Sequence, residues 1–176
     1  VLPDQQRQAH RRAVRQHFDF NDTKLPTGVR MNDEWGMTQG GLRFDWYPND
    51  DNTVTFQGDI YSGAEGSPRF SNVDGQNVLG RWTRTFSEQS AIILQAYVDR
   101  TWRRLPGSGF SDEMLTYDLD LQHRFAIGER HSLVWGAGYR LMQNDVNSFP
   151  EFQVFPARRN MQLFSAFLQD EITLIP

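Results

Sequence analysis

LTYDLDLQHRF, Leu115 to Phe125, decides the fold. Leu115, Tyr117, Leu119 and Leu121 fall on one side of an alternation, and Thr116, Asp118, Asp120 and Gln122 fall on the other. A period of two belongs to an extended strand whose faces meet two different environments. The same period recurs on both sides of it, in GLRFDW (Gly41 to Trp46), TVTFQGDI (Thr53 to Ile60), AIILQAYVD (Ala91 to Asp99) and LVWGAGYRL (Leu133 to Leu141). Aromatics make up 13% of the chain and cluster with Val and Thr in these runs, which favours strand over helix.

Read from end to end, the pattern predicts strands near Val14–Phe20, Trp35–Tyr47, Thr53–Tyr61, Asn77–Phe86, Ala91–Thr101, Met114–Phe125, Ser132–Leu141 and Met161–Leu174. PNDDN, SEQS and IGERH are short turns between them. NDTKLPTGVRMND, SGAEGSPRFSNVDGQ, RRLPGSGFSDE and MQNDVNSFPEFQVFPARRN read as long loops rich in turn formers. Short and long connections therefore alternate, which puts all long loops at one end. Residues 1–13, charged and without a clean period, are expected to be disordered or helical. The fold class is all-β, an antiparallel up-and-down meander of about eight strands over residues 14–176, and the pattern favours a transmembrane β-barrel.

The chain has 176 residues, 18 basic and 22 acidic side chains, and a net charge of -4, which excludes the strongly basic footprint of a nucleic-acid surface. Mean hydropathy is -0.63. No run approaches the ~20 apolar residues a helical span needs, but a barrel strand exposes only alternate residues to lipid. Cysteine is absent, so disulfide frameworks and thiolate metal sites are excluded.

Alternation alone leaves open which face looks inward. A small soluble barrel with a lipocalin-like pocket has the same period. Three features favour the membrane reading. The polar face carries charges of both signs in mid-strand: Arg43, Asp45, Asp59, Arg81, Asp99, Asp118, Asp120, Arg124 and Arg140, expected to face the lumen. The polar exceptions on the apolar face, Arg84, His123 and Asp170, fall near the short-turn ends, where lipid exposure costs only about 0–1 kcal/mol. Trp46, Trp82, Phe86 and Phe125 lie toward the same end, as an interfacial girdle would.

From Trp35 onward the chain resembles the barrel of a TonB-dependent outer-membrane receptor. WGMTQGGLRFDW, TVTFQGDIY, NVLGRWTRTFS, LTYDLDLQHRF, LVWGAGYRL and ARRNMQLFSAFLQDEITL carry the resemblance, in order, over roughly four-fifths of the chain. It implies the bacterial outer membrane, energy-coupled uptake of a scarce solute such as a ferric siderophore, and TonB as a partner acting through an N-terminal region. It also implies a plug domain and a barrel of about 22 strands. Neither is accounted for by these residues, so the chain is expected to be an internal slice of the barrel. Its partners would be outer-membrane lipid and the remainder of the same receptor.

No catalytic constellation stands out among His10, His17, His123 and His131, so the reading is non-enzymatic; an outer-membrane enzyme ranks third, behind the soluble binding module. No cofactor and no metal is expected. Asp118 and Asp120 face the same way, about 7 Å apart, and could gather Ca²⁺. The arginines on that face favour charge pairing instead. The extracellular loops are the better ligand candidates: Arg69 and Phe70; Trp102, Arg103, Arg104 and Phe110; and Phe152, Phe155, Arg158 and Arg159. Arginine beside aromatics can hold an anionic or aromatic solute by charge-assisted hydrogen bonds and cation–π contact.

Overall fold

A computed structural model describes residues 9–31, 33–66 and 71–174. Among them the only long elements are eight strands: β1 (Ala9–Phe20), β2 (Trp35–Asn49), β3 (Asn52–Glu65), β4 (Ser71–Ser87), β5 (Ser90–Leu105), β6 (Phe110–Ile127), β7 (His131–Asn147) and β8 (Arg158–Ile172). They form one antiparallel sheet in sequence order, each strand paired with the next. The sheet is not closed: β1 and β8 are its two edges. The meander therefore stands as expected, with the short turns β2–β3, β4–β5 and β6–β7 at one end.

Two of the short turns have a local cause. At β2–β3 the Asn49 side-chain oxygen accepts from Asp51 N (3.2 Å) and Asn52 Nδ2 (2.7 Å), an Asx-type turn that replaces the lost ladder. Gly128 sits at φ +62° in the β6–β7 turn, where a Cβ would be strained.

The strands are longer than the alternation predicts, chiefly at the other end. β3 runs on to Glu65 and β4 starts at Ser71, β5 reaches Leu105 and β6 starts at Phe110, and β7 reaches Asn147 before β8 starts at Arg158. The apolar face becomes polar there, at Ser62, Asp74, Arg100, Glu113 and Gln143, so the period disappears from the sequence while the hydrogen-bonded ladder continues. Two of the expected long loops thus shrink to short connections. At the N-terminus β1 begins at Ala9 rather than Val14, so Ala9–Ala13 is strand and not helix or disordered tail; residues 1–8 lie outside the described set.

A lone sheet has no second layer to pack on. Val146 (8% exposed) is the one buried hydrophobic residue among those described. The members of the alternating set, Leu42 (54%), Phe56 (43%), Leu119 (49%) and Trp135 (37%), are exposed rather than enclosed in a barrel interior.

Candidate functional site

Directly opposed residues of an antiparallel pair project from the same face, so the register assigns every side chain to a face. One face is apolar through its centre. Phe44, Phe56, Gly80, Ala96, Leu119, Tyr139 and Phe164 form a continuous row across β2–β8, flanked by Leu42, Gly58, Val78, Val98, Tyr117 and Leu141 on one side and Trp46, Val54, Trp82, Leu94, Leu121, Ala137 and Ala166 on the other. Tyr139 and Phe164 pack ring on ring at 4.7 Å.

Both ends of this band are polar, and several of their polar groups are partnered. At the short-turn end Trp82 Nε1 donates to Asn52 Oδ1 (2.9 Å) and Trp135 Nε1 donates to His123 Nδ1 (3.2 Å). His123 stacks on Phe125 at 4.9 Å, and His131 meets Asp170 at 2.7 Å. The expected exceptions His123 and Asp170 thus carry their own hydrogen-bond partners. At the opposite end Arg100 pairs with Glu113 (2.7 Å), Arg158 pairs with Asp145 (2.8 Å), and Arg104 lies 4.6 Å over the Trp102 ring.

The other face is hydrogen-bonded. Arg43 grips Asp45 through Nε (2.8 Å) and Nη2 (2.9 Å), and Thr55 Oγ1 donates to the same carboxylate (2.6 Å). Arg81 holds Gln95 at 2.6 Å, Arg140 holds Asp118 at 2.8 Å, and Gln122 donates to Asp120 at 2.9 Å. Tyr97 and Thr101 both donate to Asp99, at 3.1 and 3.2 Å. All nine residues expected on the polar face, Arg43, Asp45, Asp59, Arg81, Asp99, Asp118, Asp120, Arg124 and Arg140, do share it. Four of the five carboxylates are partnered: Asp45, Asp99 and Asp120 by neighbours two residues away on their own strands, and Asp118 and Asp45 across strands by Arg140 and Thr55. The Tyr61 ring covers Gly75 on this face, occupying the space a side chain there would need.

The ligand candidates are dispersed. Arg69 and Phe70 lie outside the described residues. Trp102, Arg103 and Arg104 belong to β5, Phe110 opens β6, and Arg158 and Arg159 open β8, so these six are strand residues rather than loop residues. Their alternation splits them: Trp102, Arg104 and Arg158 project from the face of the apolar band, and Arg103, Phe110 and Arg159 from the polar face. What the structure brings together is aromatic. The segment after β7 folds into a small hairpin, with Phe149 and Phe152 exchanging backbone hydrogen bonds (3.2 and 3.0 Å), and the Phe110 ring lies 6.5 Å from Phe149 and 6.1 Å from Phe152. Phe155 projects beyond it, 91% exposed.

No family model and no curated protein matches the sequence. Among solved structures the copper transporter OprC superposes with a TM-score of 0.72 at 12% identity, over 91% of this chain and 29% of that protein. The likeness is one of fold, and the chain spans less than a third of the transporter's length.

One feature of the site had no sequence signal. β1 shows alternation, with Phe18 and Phe20 opposed to His17 and Asp19, but only the register reveals which set joins the apolar band. It is the charged set: Arg11 lies opposite Phe44, Ala13 opposite Leu42, Arg15 opposite Gly40, and His17 opposite Thr38.

Proposed function

We propose that this chain is a sector of the barrel of a TonB-dependent outer-membrane receptor, which takes up a scarce solute such as a ferric siderophore. The observation that carries the reading is the apolar band of β2–β8, exposed on one face and bounded at both ends by polar groups, several of them partnered. That arrangement suits hydrocarbon of about 25 Å thickness between two headgroup layers. The hydrogen-bonded polar face suits a wet lumen, where the remainder of the receptor, its plug included, would sit. The open edges β1 and β8 would pair with the remaining strands, because unpaired backbone groups in lipid cost several kcal/mol each. The fold likeness to a transporter supports a role in transport rather than catalysis. The Phe110–Phe149–Phe152 cluster, with Phe155, Arg103 and Arg159 nearby in the chain, supplies aromatic and cationic groups at the solute entrance.

The test is energy-coupled uptake by cells producing the intact receptor. Accumulation of radio-iron presented as a ferric siderophore should stop when TonB is deleted and fall when Phe110 and Phe152 are both replaced by Ala. Uptake that ignores TonB would refute the proposal.

A further inference from the structure

The face of the band finishes differently at its two ends. At the short-turn end it runs on to the turns, where His131 lies between Ile127 and Ile172. At the other end the strands continue past the last apolar row, the row of Val78 and Val98, for three further rows of paired residues. Three rows are about 20 Å of strand and about 15 Å of height at the usual tilt. With the band in hydrocarbon, this wall stands outside the barrel, in the headgroup layer of the outer leaflet.

A groove of about 170 Å³ opens in that wall. It is lined by two rows of three residues on β3, β4 and β5: Ile60, Gln76 and Arg100, then Ser62, Asp74 and Trp102. Arg104 follows one row higher and lies 4.6 Å over the Trp102 ring. Arg100 gives its Nε to Glu113 (2.7 Å), and its Nη groups have no acceptor among the described residues. Asp74 is half-buried, with no hydrogen-bond or ion-pair partner among the described residues.

Two guanidinium groups suit a phosphate. Asp74 does not, because a carboxylate repels it. Asp74 suits hydroxyl donors, as do the Gln76 amide and the Ser62 hydroxyl. The Trp102 ring adds an apolar face on which the C–H side of a sugar ring packs. Directly below, Val78 and Val98 continue the band, and in the next row the open space over Gly80, beside Ala96 and between Phe56 and Leu119, leaves room for an acyl chain. A solute crossing the lumen does not meet this face, so the occupant is a membrane component. Resting on the membrane reading above, we infer that the groove holds the headgroup of a phosphorylated glycolipid of the outer leaflet. Arg100 and Arg104 take its phosphate, Ser62, Asp74 and Gln76 take its sugar hydroxyls, and Trp102 packs on the ring.

The test uses the intact receptor. It is titrated with lipid A in detergent micelles, and bound lipid is counted by native mass spectrometry. In parallel it is reconstituted in phosphatidylcholine vesicles with photoactivatable acyl chains, which should label Val98 and Leu119. Trp102→Ala combined with Arg104→Ala should bind lipid A about ten-fold more weakly than wild type. Gln76→Glu, an isosteric exchange that sets a second carboxylate beside Asp74, should weaken binding likewise, and Arg81→Gln on the opposite face should not. Phosphatidylglycerol, which carries the phosphate without a sugar ring, should not compete at equal concentration. Wild-type affinity in both groove variants, or equal competition by phosphatidylglycerol, in receptor whose Val98 and Leu119 are labelled, would overturn the glycolipid site and leave the membrane reading intact. Absence of that labelling would overturn both.

Discussion

Leu119→Arg and Ile127→Arg introduce the same side chain on the same face of the same strand. The two positions are nearly equally exposed, at 49% and 55%, so contact with protein differs little between them. Depth differs greatly. They are eight residues apart on β6, about 26 Å along the strand and about 20 Å along the barrel axis at the usual tilt. Leu119 sits in the central apolar row between Ala96 and Tyr139, while Ile127 sits at the turn opposite His131. If the band lies in hydrocarbon, Leu119→Arg costs about 2–4 kcal/mol and Ile127→Arg about 0–1 kcal/mol. The difference of about 2–3 kcal/mol is a factor of roughly 30 to 150 in the folding equilibrium. Guanidinium titration of the protein in vesicles, followed by tryptophan emission, measures both. If the face meets water, both substitutions replace a half-exposed aliphatic group by a soluble one and cost about the same. Equal costs would refute the depth argument.

Three further outcomes follow from local geometry. Arg140→Gln should cost no more than about 1 kcal/mol, because the Arg140–Asp118 pair is half-open on the arginine side, and a double-mutant cycle with Asp118→Asn should recover a coupling of that size. Gly75→Ala should destabilise by about 1–3 kcal/mol by driving a methyl into the Tyr61 ring, and combining it with Tyr61→Ala should remove most of that penalty. In the first loop, Thr23 donates from both its backbone N (2.7 Å) and its hydroxyl (2.5 Å) to Asp33, and the hydroxyl first of all holds the Asp33 carboxyl below its ordinary value. The loop closure it supports is therefore complete above the ordinary carboxylate range and lost as pH falls through the lowered value; Thr23→Val should move the Asp33 titration upward in a carboxyl-carbon NMR experiment.

The meander was legible because period two survives wherever one face is apolar. Leu115–Phe125 and Leu133–Leu141 needed no structure to be placed on β6 and β7. The strand ends were not legible, because Ser62–Glu65, Ser71–Gln76 and Trp102–Leu105 keep their backbone ladder after the alternation of apolar and polar residues has ended. That same extension moved Trp102, Arg103 and Arg104 from an expected loop onto opposite faces of β5. The polar-face arginines and aspartates were legible as a set, yet their pairings depend on register: Arg140 meets Asp118 only because β6 and β7 align those residues. β1 marks the limit of the pattern, since alternation identifies two faces and is silent about which neighbour each will join.

The central claim, that one face of this sheet meets lipid and the other water, is tested most directly by tryptophan quenching. Trp82 and Trp135 are each 37% exposed, and Tyr97, next to Ala96 of the central row, offers a polar-face position at mid-depth. Trp82 and Trp135 project from the face of the band, and Tyr97 projects from the polar face. In vesicles, variants that carry one tryptophan apiece should show Trp82 and Trp135 quenched by brominated acyl chains and spared by aqueous acrylamide, with the reverse for Tyr97→Trp. Quenching of Tyr97→Trp by brominated lipid to the same extent as Trp135, or of all three by acrylamide alone, would contradict the account.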